Sequence, residues 1–187
     1  MKALNVLPSD YTPVMSVDLQ SNKATATAVN LISILLMALM VVPVMFFVPL
    51  ALFVSNLIGI VVLFAAYAAY IVLHELTHAA VMRLFGAKKV HFGFTGLYFY
   101  AGSNFYFDRK SYILIALAPV VLFGLIFGAI NVYVPANWFW VVYLLQVFNI
   151  SGAAGDFYVT FKFSRLPRDI LIHDSGTAMT VFAKKID

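Results

Sequence analysis

Residues 57–81, LIGIVVLFAAYAAYIVLHELTHAAV, decide the fold. The run is apolar and long enough to cross a bilayer, whose hydrocarbon core of about 30 Å takes roughly 20 helical residues. Near its C-terminal end it nevertheless carries three ionisable side chains, His74, Glu75 and His78. Such groups are costly inside a span and mark functional sites by default. A membrane helix with chemistry built into it is the first expectation.

Three further stretches qualify as spans, at about 27–53, 111–130 and 138–154. With 63% hydrophobic and 11% charged residues in 187, an ordinary soluble domain with a charged exterior is excluded. The expected fold is an all-α integral membrane protein of about four transmembrane helices, a single membrane-embedded domain over 1–187. Val54, Ser55 and Asn56 interrupt the first pair of spans, and residues 131–137, with Pro135, the second pair, as tight hairpins. A two- or three-span chain with a re-entrant segment is the competing arrangement. Residues 1–23 are mostly polar and are expected to be retained rather than cleaved as a leader.

The basic residues orient the bundle. Lys2 and Lys23 precede the first span, five lie between the second and third, and Lys162 to Lys185 follow the fourth. All fall on one side, and the two hairpins on the other side carry none. The positive-inside rule then puts both termini, the loop 86–110 and the tail 157–187 in the cytosol. Scattered in this way, the net charge of +4 makes no nucleic-acid-binding face. Trp138 and Trp140 suit the opposite interface as aromatic anchors.

Pro43, Pro49 and Pro119 fall inside expected spans, where each removes a helix hydrogen bond and bends the axis. Gly124 and Gly128 form a small-xxx-small pair that admits a close neighbour, either an internal helix or a second subunit in a homo-oligomer. In the loop 86–110, Val90, Phe92 and Phe94, then Tyr98, Tyr100, Phe105 and Phe107, recur with strand-like spacing around Gly96 and Gly102. The tail has a turn at Asp174, Ser175 and Gly176 between two short apolar strands. Short β-hairpins in loop and tail are therefore expected.

The chemistry concentrates in His74-Glu75-Leu76-Thr77-His78. Residues four apart share a helix face, so both imidazoles can bind one zinc ion, with Glu75 beside them as general base. The chain has four His and no Cys, so any metal must be held by His and carboxylate. Glu75 is the only Glu, and apart from it only Asp156 falls within or at the end of a span, at similar depth. Asp156 is the candidate third ligand, and Gly152, Ala153, Ala154 and Gly155 before it let the fourth helix approach the second. His91, His173 and Asp174 are rivals, while Leu84 stands where an extended metzincin motif needs His. Asn149, His91 and His173 are the available polar candidates for stabilising an oxyanion.

The H-E-L-T-H motif at the end of a membrane helix, followed by Ser151-Gly152-Ala153-Ala154-Gly155-Asp156 and a short tail with Asp174, resembles the zincin peptidase family of small bacterial membrane proteins. That family is similar to the site-2 intramembrane metalloproteases, which pair H-E-x-x-H on one helix with Asp on a later one. The resemblance implies His74, His78 and Asp156 as ligands and Glu75 as base. Gly155-Asp156-Phe157 departs from the Leu-Asp-Gly form of the site-2 signature.

The expected function is a zinc-dependent membrane metallopeptidase in the cytoplasmic membrane of a bacterium. It would cut peptide or membrane-protein substrates in or near the cytosolic face. The other class in play is a non-catalytic membrane protein whose metal site is structural and which serves as a partner-binding or regulatory subunit. A transporter is a weaker reading, since four short-looped spans show no duplicated broken helices. The aromatic loop offers either a strand edge for an extended substrate or a simple interfacial anchor.

Overall fold

A computed structural model of the chain describes residues 3–18, 20–96 and 98–185. Lys2, one of the basic residues used for orientation, lies outside the described residues. Among the described residues, four helices are long and apolar enough to cross a membrane. They are α1 (Lys23–Met45), α3 (Leu57–Leu84), α4 (Arg109–Tyr133) and the compound helix Ala136–Ser164. The last is a 3-10 turn, α5 (Phe139–Gly152) and α6 (Ala154–Ser164).

Short polar side chains start three of the spans. Asn22 accepts from the Thr25 N–H at 3.1 Å, Asn56 from Gly59 N–H at 2.8 Å, and Asp108 from Lys110 N–H at 3.0 Å. Each satisfies an amide that a helix N-terminus leaves without an intrahelical partner. Asn56 also donates to the Asn137 carbonyl at 2.8 Å, so one amide fastens both hairpins at that end of the bundle.

Three details differ from the sequence expectations, and the surroundings of the glycine pair are a fourth finding. Pro49 is not within a span, because the helix stops at Met45 and a short α2 (Ala51–Val54) follows. Trp140 is 1% exposed and donates its indole N–H to the Pro49 carbonyl, so it packs inside the bundle rather than anchoring at a lipid interface. Gly124 faces the Asn149 and Gln146 amides of α5, making it an internal contact, whereas Gly128 has open space around it. The strand content exceeds two short hairpins.

The strands gather at the end of the bundle where α3 finishes and α4 begins. β2 (His91–Phe94) and β3 (Phe99–Gly102) form one antiparallel hairpin. β1 (Tyr11–Asp18), β4 (Tyr106–Asp108), β5 (Leu171–Asp174) and β6 (Ala178–Lys184) form an antiparallel sheet in the order β1-β6-β5-β4. A bridge from Leu4 to Tyr106 brings the N-terminal segment onto the far edge of β4 as well. The N-terminal segment thus forms one edge strand of the sheet and bridges to the other edge at Leu4. Under this sheet lies the main core, where Phe107, Phe163, Ile172 and Val181 are each 0% exposed.

The turn of the β5–β6 hairpin is tied to β3. Ser103 donates its N–H to the Asp174 carbonyl at 2.8 Å, and Gly176 has φ 90° with its Cα against the Tyr100 ring. A Cβ at Gly176 would lie 2.0 Å from Tyr100 Cδ2, in a backbone region that L side chains rarely adopt. Gly176→Ala is expected to cost about 1–3 kcal/mol, read as a lower unfolding temperature in micelles. An unchanged unfolding temperature would refute the contact.

Candidate metal centre

His74, Glu75 and His78 lie on α3, two turns from its C-terminal end, and present ligand atoms all within 4.8 Å of one another. The two imidazoles share a helix face, and their Nε2 atoms are 3.2 Å apart. Asp156 enters from the first turn of α6. Its Oδ2 is 3.5 Å from His74 Nε2, and its Oδ1 is 3.6 Å from His78 Nε2. All four residues line one cavity of about 650 Å³ between α1, α3, α6 and the β2–β3 hairpin.

A helix break aims Asp156. α5 stops at Gly152, Ala153 takes φ −83° and ψ 17°, and α6 restarts at Ala154. Glycine weakens the helix there, and the small side chains let the segment pack inward, with Ala153 and Ala154 each 1% exposed. A carboxylate in the first turn of a helix also suits the partial positive charge of its N-terminus.

Hydrogen bonds fix which nitrogen each imidazole presents. His78 Nδ1 is 2.9 Å from the Ile115 carbonyl of α4, which can only accept, so the proton sits on Nδ1 and Nε2 keeps its lone pair. His74 Nδ1 is 2.9 Å from the Tyr70 hydroxyl, which donates to Asn149 Oδ1 at 3.0 Å. Tyr70 therefore accepts from His74 Nδ1, and again Nε2 is left bare. Asn149, 0% exposed, completes the chain by donating Nδ2 to the Val120 carbonyl at 3.1 Å.

Two lone pairs facing each other across 3.2 Å beside a carboxylate repel unless a cation lies among them. Donors about 2.0–2.1 Å from one tetrahedral zinc are roughly 3.3 Å apart. The Nε2–Nε2 separation fits that spacing, each Nε2 has a different Asp156 oxygen 3.5 or 3.6 Å away, and the donor set of two His and one carboxylate suits zinc. These residues fit the ion.

The other candidates are engaged elsewhere. His91 Nε2 faces the Ser175 carbonyl at 3.3 Å, and His173 stands opposite Tyr106 in the sheet. Burial, with His91 nearby, lowers the His173 pKa below the ordinary imidazole range. Asp174 lines the same cavity, but its oxygens accept from the Tyr112 hydroxyl and the Gly176 N–H, each at 2.7 Å. Burial raises its pKa above the ordinary carboxylate range in spite of those bonds. Asn149 spends its amide on Tyr70 and Val120. Leu84 is 83% exposed.

Sequence reasoning missed Tyr70. The signal was present, because it lies four residues before His74 on the same helix face.

Residues 67–171, more than half of the chain, match the model of a family described as "Putative zincin peptidase". The chain belongs to that family. The matched region of this zincin peptidase family member contains His74, Glu75, His78 and Asp156. The chain is 32% identical over 114 residues to an uncharacterized 24.7 kDa protein in gap 5'region of Pyrococcus woesei. That similarity covers 58% of this chain and 49% of the other, so the chain spans about half the length of the curated relative. No solved structure gives a significant match.

Proposed function

We propose that this chain is a zinc-dependent membrane metallopeptidase that hydrolyses peptide bonds in or near the cytosolic face of the bilayer. The observation that carries the reading is the convergence of two bare Nε2 atoms, 3.2 Å apart, with the Asp156 carboxylate facing both and Glu75 alongside. His74, His78 and Asp156 hold the ion. Zinc, when bound, polarises a carbonyl and makes a coordinated water acidic near neutral pH.

Glu75 takes a proton from the attacking water and delivers it to the leaving nitrogen, which splits the peptide bond without an external acid. Ala101 of β3 lines the cavity together with Glu75. β3 thereby runs beside the reacting position, where its edge supplies main-chain partners to an extended substrate segment. A purely structural zinc site is closed by four protein ligands and has no use for a neighbouring carboxylate in the base position. The metallopeptidase reading is favoured for that reason.

Charge supports the orientation and chain geometry the depth. Arg83, Lys88, Lys89, Arg109 and Lys110 all lie at the sheet-bearing end, and the residues joining the spans at the other end carry no Lys or Arg. Glu75 lies nine residues from the end of α3 and Asp156 eight from the end of α6, about 14 Å and 12 Å along their axes. The pairing of H-E-x-x-H with an Asp on a later helix also resembles the site-2 intramembrane metalloproteases.

The test is purification in detergent with metal analysis and a membrane-tethered peptide reporter. One zinc per chain is expected, with cleavage lost on chelation and restored by zinc. Cleavage that survives complete metal removal, or a preparation that neither binds zinc nor cuts, would overturn the reading.

A further inference from the structure

Pro119 lies in the middle of α4. In an α-helix each carbonyl accepts from the N–H four residues on, and the partner of Ile115 would be residue 119. Proline has no N–H, so the Ile115 carbonyl is left without its intrahelical bond. Inside a bilayer such a carbonyl is costly unless another donor reaches it. Here the donor is His78, whose Nδ1 lies 2.9 Å away, with the residue 9% exposed.

We infer that Pro119 is a positioning residue for the metal centre: by withholding a backbone N–H it frees the Ile115 carbonyl to orient His78. The proline is then more than a kink. The acceptor fixes the ring's proton on Nδ1 and turns Nε2 toward His74 and Asp156. The next residue, Val120, gives its carbonyl to Asn149, which carries the bond through Tyr70 to His74. One stretch of α4 therefore steers both imidazoles, and its proline supplies the carbonyl for one of them. A purely steric role would leave the loss or gain of that N–H without consequence for the metal.

The inference rests on His78 as a zinc ligand, so His78→Ala is the reference. The readouts are zinc affinity by chelator competition, the absorption bands of the cobalt-substituted protein, and thermal unfolding of the metal-free protein. Pro119→Ala restores the N–H and is expected to weaken zinc binding about tenfold and shift the cobalt bands, while unfolding temperature holds or rises. Lactic acid at position 119, introduced by nonsense suppression, has the small side chain of alanine without the N–H and is expected to bind zinc like the native protein. Pro43→Ala, in α1, should leave zinc binding unchanged.

Native-like zinc binding and cobalt bands in Pro119→Ala would overturn the inference, as would a lactic acid variant no better than alanine. Should His78→Ala itself bind zinc as tightly as the native chain, the ligand reading falls first, and that outcome is distinct from the other two.

Discussion

Glu75→Gln is expected to lower peptide hydrolysis at least about a hundredfold while zinc stays at one per chain. Glutamine matches glutamate in shape, but it cannot accept a proton from water. His74, His78 and Asp156 are untouched, so metal content and unfolding temperature should match the native protein. The measurement is cleavage of a membrane-tethered reporter by matched amounts of zinc-loaded protein. Cleavage within tenfold of native would remove Glu75 as the base. Loss of zinc along with activity would recast Glu75 as a ligand, a geometry its closeness to both imidazoles makes worth separating.

Asp156→Ala should act on the metal itself. It removes the carboxylate that reaches both histidines, at 3.5 Å and 3.6 Å, and leaves two imidazoles on one helix as the remaining donors. Losing an outer hydrogen-bond partner of a ligand costs about 10–100-fold in affinity, and loss of a ligand should exceed that range. Zinc affinity is expected to fall by more than about a hundredfold, and hydrolysis with it. If Asp156→Ala keeps native affinity while His74→Ala and His78→Ala lose it, another donor completes the site and the pairing of α3 with α6 around the ion is wrong.

The parts of this molecule that were legible in the sequence are those set by local spacing. The spans follow from apolar run length, and the imidazole pair follows from the helical period, so His74, Glu75 and His78 needed no knowledge of the rest of the chain. Asp156 was readable only as a rare carboxylate at matching depth, because what brings it to α3 is a helix break and the packing of α5 and α6 against α3 and α4.

The hydrogen bonds behind the histidines were less accessible. Asn149 was legible only as one of the available polar candidates, because its partners Tyr70 and Val120 lie on two other helices. The acceptor role of Ile115 depends on a side chain 37 residues away in sequence. β1 was hidden for the same reason. Residues 11–18 have no strong alternation of their own and become a strand because β6 offers an edge, pairing Tyr11 with Lys184. Trp140 was misassigned because aromatic residues at a span end serve lipid anchoring and helix packing alike, and only the Pro49 carbonyl decides between them.

That pairing of the first strand with the last has a consequence for biosynthesis. β1 leaves the ribosome long before β6 exists, and β4 waits for β5, so the sheet cannot assemble in the order in which it is translated. The hydrophobic helices insert first and must carry the cavity residues through that interval without their cover. Completion of the sheet is therefore a late step, limited by the closure of contacts between distant parts of the chain.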